Sequence, residues 1–509
     1  MEMQRLTNRR NKSKLPIPPG PKAWPLVGSF PEIFRSGKPV FRWIHDLMDE
    51  MKTEIACIRL GGTYVISVTS PELAREFLKK QDSIFSSRPL CMSARIISNG
   101  FLTSMFLPYG EKWTKMRRIL NTHVLSPAAI HLHHDKRVEE ANHLLRYIYN
   151  QCSPSKGAVV NVRTATQHYC GNVTKKMLFN KRYFGSGTED GGPGAVDEEL
   201  VEALFTILRY LYGFGVGDCI GWLNYATLLY MLIDIDGHKS MIRKALAVTR
   251  KHLATEVDKR IQMWKDGTKT VEEDILDVLL MLKDDAGRPM LNDTEIKTQL
   301  LEIMIATIDN PSNNAEWALA EMLNQPKLLE KAVEEVDNVV GRDRLVEESD
   351  LPKLNYIKAC VKEGFRLHPF APFTPAHMSI ADTVVGGYFI PKGSQVIASR
   401  IELGRNRKAW EEPLKFKPER HLKEDGGEVV LSDSDLNMIS FSAGRRGCPG
   451  VKLGSLMCAM LMARLVQGFT WSVPPDLSCI DLTESKHDDF LANSLFALAK
   501  PRLSKNLYK

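Results

Sequence analysis

Residues 292–326 place the tightest constraint on how this chain can fold. Ile296, Leu300, Ile303, Met304, Ile308, Ala315, Ala318, Leu319 and Met322 recur at helical spacing and stay in phase throughout. Asn292 with Glu295 three residues later forms a capping pair at the start, and Pro326 is expected to close the run. About thirty residues at ~1.5 Å each span on the order of 45 Å, enough to cross a large domain and bury the midpoint. That midpoint holds IATIDNPSNNAEW (Ile305–Trp317), which contains Pro311 and three asparagines, all poor helix formers. Pro311 has no N–H to give the Thr307 carbonyl. Asn310 precedes a proline and is pushed off regular helical geometry. The expectation is a long helix interrupted at its buried centre.

The rest of the chain sets the class. Its 509 residues suit one large domain or several average ones. The 68 basic and 61 acidic side chains leave a net charge of +7, too small and too dispersed for a nucleic-acid binder but able to steer an acidic protein partner. Nine cysteines, an odd number with no CxxC, argue against a disulfide framework and for a reducing compartment. No run of about 18 apolar residues marks a transmembrane helix, and no signal peptide is visible. Arg5, Arg9, Arg10, Lys12 and Lys14 form a basic cluster, followed by the stiff, polyproline-like Leu15–Pro21.

Ile55–Leu60, Gly61-Gly62 and Thr63–Thr69 read as a tight β-hairpin, and Pro71 opens a short helix. Gly185–Gly194 reads as a solvated loop. A second hairpin is expected between Tyr388–Ile390 and Gln395–Ala398, turned at Pro391-Lys392-Gly393. Almost everything else carries helical periodicity. The fold class is therefore mainly α with small β-sheets, in one large domain.

FSAGRRGCPG (Phe441–Gly450) precedes a helical run from Val451 to Phe469. Gly444, Gly447 and Gly450 let the backbone turn tightly and let a flat ligand approach. Cys448 lies at a helix N-terminus, where the dipole favours a thiolate that can be a nucleophile or a metal ligand. No His–Asp pair or second cysteine at useful spacing supports a catalytic-cysteine reading.

Phe441, Gly444, Arg446, Cys448 and Gly450 reproduce the pattern F-x-x-G-x-R-x-C-x-G. On these residues the chain resembles the cytochrome P450 family. Three further matches come in order: Trp113 with Arg117 (W-x-x-x-R), Glu363 with Arg366 (E-x-x-R), and Pro418-Glu419-Arg420 (P-E-R). The resemblance covers the chain from Pro16 onward. It implies haem b between the long central helix and the cysteine loop, with Cys448 as the iron ligand. It implies that Trp113, Arg117, His377 and Arg446 reach the haem propionates, and that Phe441 and Gly450 complete the cofactor site. By the same resemblance Glu363, Arg366 and Arg420 form a buried structural triad. Thiolate ligation favours O–O cleavage. No flavin or nicotinamide motif is visible, so electrons are expected from NADPH through a separate reductase.

The resemblance narrows further. Where most members carry an acid followed by threonine, this chain reads Asp309-Asn310-Pro311. D-N-P-S-N, E-W-A-L-A-E-M, RLHPFAPF (Arg366–Phe373), KFKPERHL (Lys415–Leu422) and QGFTW (Gln467–Trp471) are similar to the plant amino-acid N-monooxygenases that make aldoximes. That branch N-hydroxylates a free amino acid twice, and its products feed glucosinolates, cyanogenic glucosides or related defence compounds. The resemblance implies catalytic roles for Thr307, Asp309 and Asn310. Candidate partners for the substrate carboxylate are Arg95 and Arg209. Phe101, Phe373 and Phe496, with Thr374, are candidates for the side-chain pocket. Thr307, the Thr374–His377 segment and Ser442-Ala443 depart from the branch, and the first two imply a difference in substrate choice or activity.

The family also implies the cytosolic face of the endoplasmic reticulum membrane. Relatives have an apolar anchor before the basic cluster, and this sequence has none, so an incomplete N-terminus is expected. Residues 1–35 would form a basic, proline-rich hinge and residues 36–509 the haem-thiolate domain. Rival readings are a carbon hydroxylase of a small plant metabolite, an O2-independent haem-thiolate isomerase or dehydratase, and a non-catalytic haem-binding relic.

Overall fold

Seven helices frame the site in the computed structural model: α1 (Glu111–Ile119), α2 (His134–Gln151), α3 (Val162–Phe179), α4 (Ala195–Tyr212), α5 (Asp293–Asn324), α6 (Asn355–Leu367) and α7 (Val451–Gly468). The structure describes residues 15–152, 158–182, 191–212, 234, 237–486 and 490–509. The basic cluster and most of the glycine-rich 185–194 loop lie outside these residues.

Helix α5 is the axis of the core and packs against α3, α6 and α7. Its start is the capping box read from the sequence: Glu295 N–H donates to Asn292 Oδ1 at 2.9 Å, and Asn292 N–H to Glu295 Oε2 at 3.0 Å. The expected interruption does not occur. The helix runs unbroken over 32 residues with Pro311 inside it. One missing hydrogen bond is outweighed by packing, because Ile308, Asp309 and every residue from Pro311 to Leu323 are buried. Side chains also tie the weak point down: Asn310 Nδ2 donates to the Ala306 carbonyl at 3.1 Å, and Ser312 Oγ to the Asp309 carbonyl at 3.0 Å. Pro326 does not close α5 directly. It is the first residue of the next helix, Pro326–Val339, after a turn at Gln325.

Two helices touch at one glycine. Asn314 Nδ2 crosses from α5 to the Val361 carbonyl of α6 at 3.0 Å. A Cβ on Gly364 would meet that nitrogen at 2.7 Å.

Strands β1 (Ile55–Leu60) and β2 (Thr63–Val68) form the predicted hairpin, with Leu60 opposite Thr63. The other strands are β3 (Ala158–Asn161), β4 (His377–Met378), β5 (Thr383–Val385), β6 (Tyr388–Ile390), β7 (Gln395–Ala398), β8 (Phe469–Ser472) and β9 (Phe496–Pro501). They form three sheets, ordered β1-β2-β7-β4, β3-β9-β8 and β5-β6. The second hairpin is therefore corrected. Strand β6 pairs with β5, not β7, because Gly386 (φ +56°) and Gly387 (φ +81°) make the tight turn between them. Strand β7 joins β2 in parallel.

The proline-rich segment is docked. Cys57 N–H donates to the Pro19 carbonyl at 2.7 Å and Phe389 N–H to that of Pro16 at 2.8 Å. Phe30 and Ile33 are buried with Phe41 and Ile44 in one cluster. The one described helix long and apolar enough to cross a membrane is α7, and 72% of it is buried as core.

The charged triad gains a fourth member. Glu363 accepts from Arg366 (2.7 and 2.8 Å), from Arg420 Nε (3.0 Å) and from His421 Nε2 (2.7 Å), and also from the Lys417 N–H (2.8 Å). Burial alone would push the Glu363 carboxyl up, but the hydrogen bonds from Arg366 and His421 outweigh it and hold it at about 2.

Candidate functional site

The loop before α7 is built so that Cys448 faces inward. Cys448 N–H donates to the Phe441 carbonyl at 2.8 Å, and Gly447 N–H to the Gly444 carbonyl at 3.0 Å. Gly444 has φ +68°, and a Cβ there would lie 2.2 Å from the Leu78 carbonyl oxygen. Only glycine fits both constraints. The Phe441 ring packs edge-on to Phe365, with centroids 5.7 Å apart. Gly450 caps α7. The Cys448 thiol opens into an internal cavity of about 270 Å³. Burial pushes the thiol up, while the Gly450 N–H, Arg117 and Arg400 pull it back.

Opposite the loop, α5 lines the cavity with one continuous face that includes Glu302, Ala306, Thr307, Asn310 and Pro311. The Thr307 hydroxyl donates to the Ile303 carbonyl at 2.7 Å and accepts from Thr174 Oγ1 at 2.8 Å. Asp309 is not on this face. It is wholly buried, and neither carboxyl oxygen has a hydrogen-bond partner. Burial pushes its carboxyl far above the usual range, so the group is held neutral.

Arg117, His377, Phe441, Arg446, Cys448 and Gly450 all line the cavity. Arg117 donates to the Gly447 carbonyl. Arg446 donates to the carbonyls of Ser86, Ser104 (3.3 Å) and Leu107 (2.7 Å). Its guanidinium stacks over Trp113, 4.6 Å from the ring centroid. Trp113 thus stands behind Arg446, and its indole N–H is buried without a partner. His377 makes a 2.9 Å hydrogen bond from Nδ1 to the Phe85 carbonyl; burial and Arg88 push its pKa well down, so the ring is neutral.

These residues fit a haem. Arg446 is brought down to about 9, first by burial and then by the like charges of Arg88 and Arg117. Such a crowded cationic rim, beside an orphaned indole donor, is suited to a ligand carrying two carboxylates. The Cys448 thiol faces it from the loop, and a second thiol on the wall, Cys458, belongs to α7.

Several predicted substrate residues lie elsewhere. Arg95 is exposed on the short helix Met92–Ile97, whose buried face is formed by Ser93, Ala94 and Ile97. Phe101 is half-buried against the core, off the cavity wall. Phe373 sits in the cluster of Phe30 and Phe41. Thr374 Oγ1 accepts from Ala398 N–H at 3.1 Å and is absorbed into the sheet. Phe496 is half exposed on β9. Arg209 lines a second, outer cavity of about 620 Å³ between α4 and the segments around Phe370 and Phe490. Leu208 is shared by the two cavities.

Sequence reasoning missed Arg88, Gln299, Glu302 and Arg400 on the inner wall. The signal for Glu302 was present: it lies four residues before Ala306 and eight before Asn310, on one helical face.

The family profile described as Cytochrome P450 matches residues 18–495. The chain is 52% identical over 503 residues to a tryptophan N-monooxygenase of Prunus mume, covering 98% of this chain and 93% of that protein. It is 53% identical over 498 residues to a phenylalanine N-monooxygenase of Arabidopsis thaliana, covering 97% and 93%. It is 53% identical over 507 residues to an isoleucine N-monooxygenase of Lotus japonicus, covering 99% and 93%.

Proposed function

This chain belongs to the cytochrome P450 family, a haem-thiolate monooxygenase supplied with O2 and with NADPH electrons through a reductase, and we propose that it N-hydroxylates an α-amino acid to an aldoxime. The observation that carries the reading is Asn310-Pro311 on the cavity face opposite Cys448, in a chain about half identical to amino-acid N-monooxygenases along nearly its whole length.

Bound haem, ligated through Cys448, supplies the oxygen-activating chemistry. Trp113, Arg117 and Arg446 would hold its propionates, with Phe441 and Gly450 packed around Cys448; His377, neutral and with its one N–H given to the Phe85 carbonyl, lines the cavity without a proton to offer a carboxylate. Glu363, Arg366 and Arg420, joined by His421, brace the fold beneath. Each N-hydroxylation puts one atom of O2 on the substrate nitrogen and releases the other as water, using two electrons from the reductase. Loss of water and CO2 then yields the aldoxime.

Thr307, Asp309 and Asn310 control protons along α5. The Asn310 amide can donate and accept but cannot relay a proton as a hydroxyl does. The Thr307 hydroxyl is already engaged on both sides. The cavity face of α5 is thus poor in relays, and Asp309 stands behind that face as a buried acid whose oxygens accept no hydrogen bond. Arg209 on the outer cavity meets the substrate carboxylate on its way in.

The test is expression with a plant reductase, followed by a reduced carbon-monoxide difference spectrum. The protein is then fed the twenty amino acids and chain-elongated methionines, with mass spectrometry of the products. An aldoxime from at least one amino acid, dependent on NADPH and O2, is expected. A carbon-hydroxylated product with the amine intact, product formation without O2, or no aldoxime from any substrate would overturn the reading.

The proposed location is the cytosolic face of the endoplasmic reticulum. Exposed Leu15, Ile17, Trp24, Leu26 and Phe34 near the start of the described chain support a membrane-facing surface. Recovery of the protein in the soluble fraction after cell fractionation would contradict it.

A further inference from the structure

The inner cavity is ringed by basic groups, yet one carboxylate lines it. Among the described lining residues, Glu302 is the only acid. It projects from α5 on the face of Ala306 and Asn310. Its Oε1 accepts from Ser104 Oγ at 2.6 Å and from Gln299 Nε2 at 3.0 Å, and its Oε2 from the Met105 N–H at 3.0 Å. Gln299 is fixed in turn by the Ser104 N–H, 3.3 Å from its Oε1. The carboxylate is therefore aimed by three donors from two segments.

We propose that Glu302 binds the α-ammonium group of the substrate and sets the nitrogen against the α5 face opposite Cys448. The proposal rests on the amino-acid reading above and adds the residue that selects for the amine. A carboxylate has about four acceptor positions, and three are used. Arg117 and Arg446 act on it only through space and do not pair with it. With Arg117 and Arg446 given to the haem propionates, Glu302 is the one acidic side chain on the described cavity wall that a substrate ammonium can meet. If the loop at 103–105 needed only an acceptor, a neutral amide would serve at lower desolvation cost.

The experiment is optical titration of the haem-loaded enzyme with L-tryptophan, L-phenylalanine, L-isoleucine, L-valine and L-tyrosine. Each is compared with its des-amino acid, which keeps the side chain and carboxylate. The wild-type protein should bind the preferred amino acid at least ~10-fold more tightly than its des-amino partner, as loss of a charge-assisted hydrogen bond predicts. Glu302→Gln should erase most of that ratio by weakening the amino acid alone, with the carbon-monoxide spectrum retained. Equal weakening of both ligands would show a purely structural role and overturn the proposal. So would a wild-type protein that binds the two equally, a result that needs no variant to fold. No spectral response to any amino acid would instead defeat the underlying function.

Discussion

Asp309 is a neutral acid enclosed by protein, with no donor on either oxygen. A carboxyl raised by burial contributes stability that is full below its unfolded pKa and is lost as pH rises toward its folded value. Asp309→Asn removes that loss, so the variant should be more stable at neutral pH, by about 1.4 kcal/mol for each pH unit by which the folded value exceeds the ordinary one. Thermal melts at pH 5 and pH 8 check this: the gain over wild type should grow with pH. Turnover should fall in the same variant, because its amide cannot hold the proton. A variant destabilised at both pH values would refute the account of this residue. Cys448 and its loop were legible in the sequence because the spacing is local and chemically specific. Arg95, Phe373 and Thr374 were not, because what a loop residue faces depends on strands and helices far away in the chain. Glu302 was legible but overlooked: it shares the helical face of Ala306 and Asn310, and what the fold adds is the loop at 103–105 that aims it.

At the scale of elements, α5 holds together at its proline because neighbours cover it. Burial of Pro311 through Asn314 and the Asn314 bond to Val361 supply from outside what the local sequence lacks. Gly364 is the point of closest approach. Gly364→Ala should force Asn314 away and cost about 1–3 kcal/mol by overpacking. Urea unfolding of the variant checks this, and an unchanged midpoint would mean the two helices are less tightly coupled than described. The capping box was readable because both partners lie within one turn. The partner of β6 was misread because Gly386-Gly387 is as good a turn as Pro391-Lys392-Gly393, and only the sheet decides between them.

The whole molecule is braced by Glu363 and its donors from two segments, its own helix α6 and residues 417–421. A carboxyl lowered to about 2 contributes stability that is present above its unfolded pKa near 4.5 and is lost as pH falls toward 2. That shift corresponds to about 3 kcal/mol, so acid unfolding should steepen between those values. Glu363→Gln should flatten that part of the stability–pH curve and cost roughly 3–5 kcal/mol at neutral pH by leaving buried cations unpaired. The helical class was legible throughout, since long periodic runs report themselves. The division into two cavities, with Arg209 on the outer one, was not, since it arises only when α4 meets distant loops. The central claim, N-hydroxylation of an amino acid, is tested most directly by feeding the reconstituted enzyme nitrogen-labelled amino acids with NADPH and O2. The account predicts an aldoxime that keeps the label and has lost the carboxyl carbon as CO2. An oxidised product that retains both the carboxylate and an unmodified amine would contradict it.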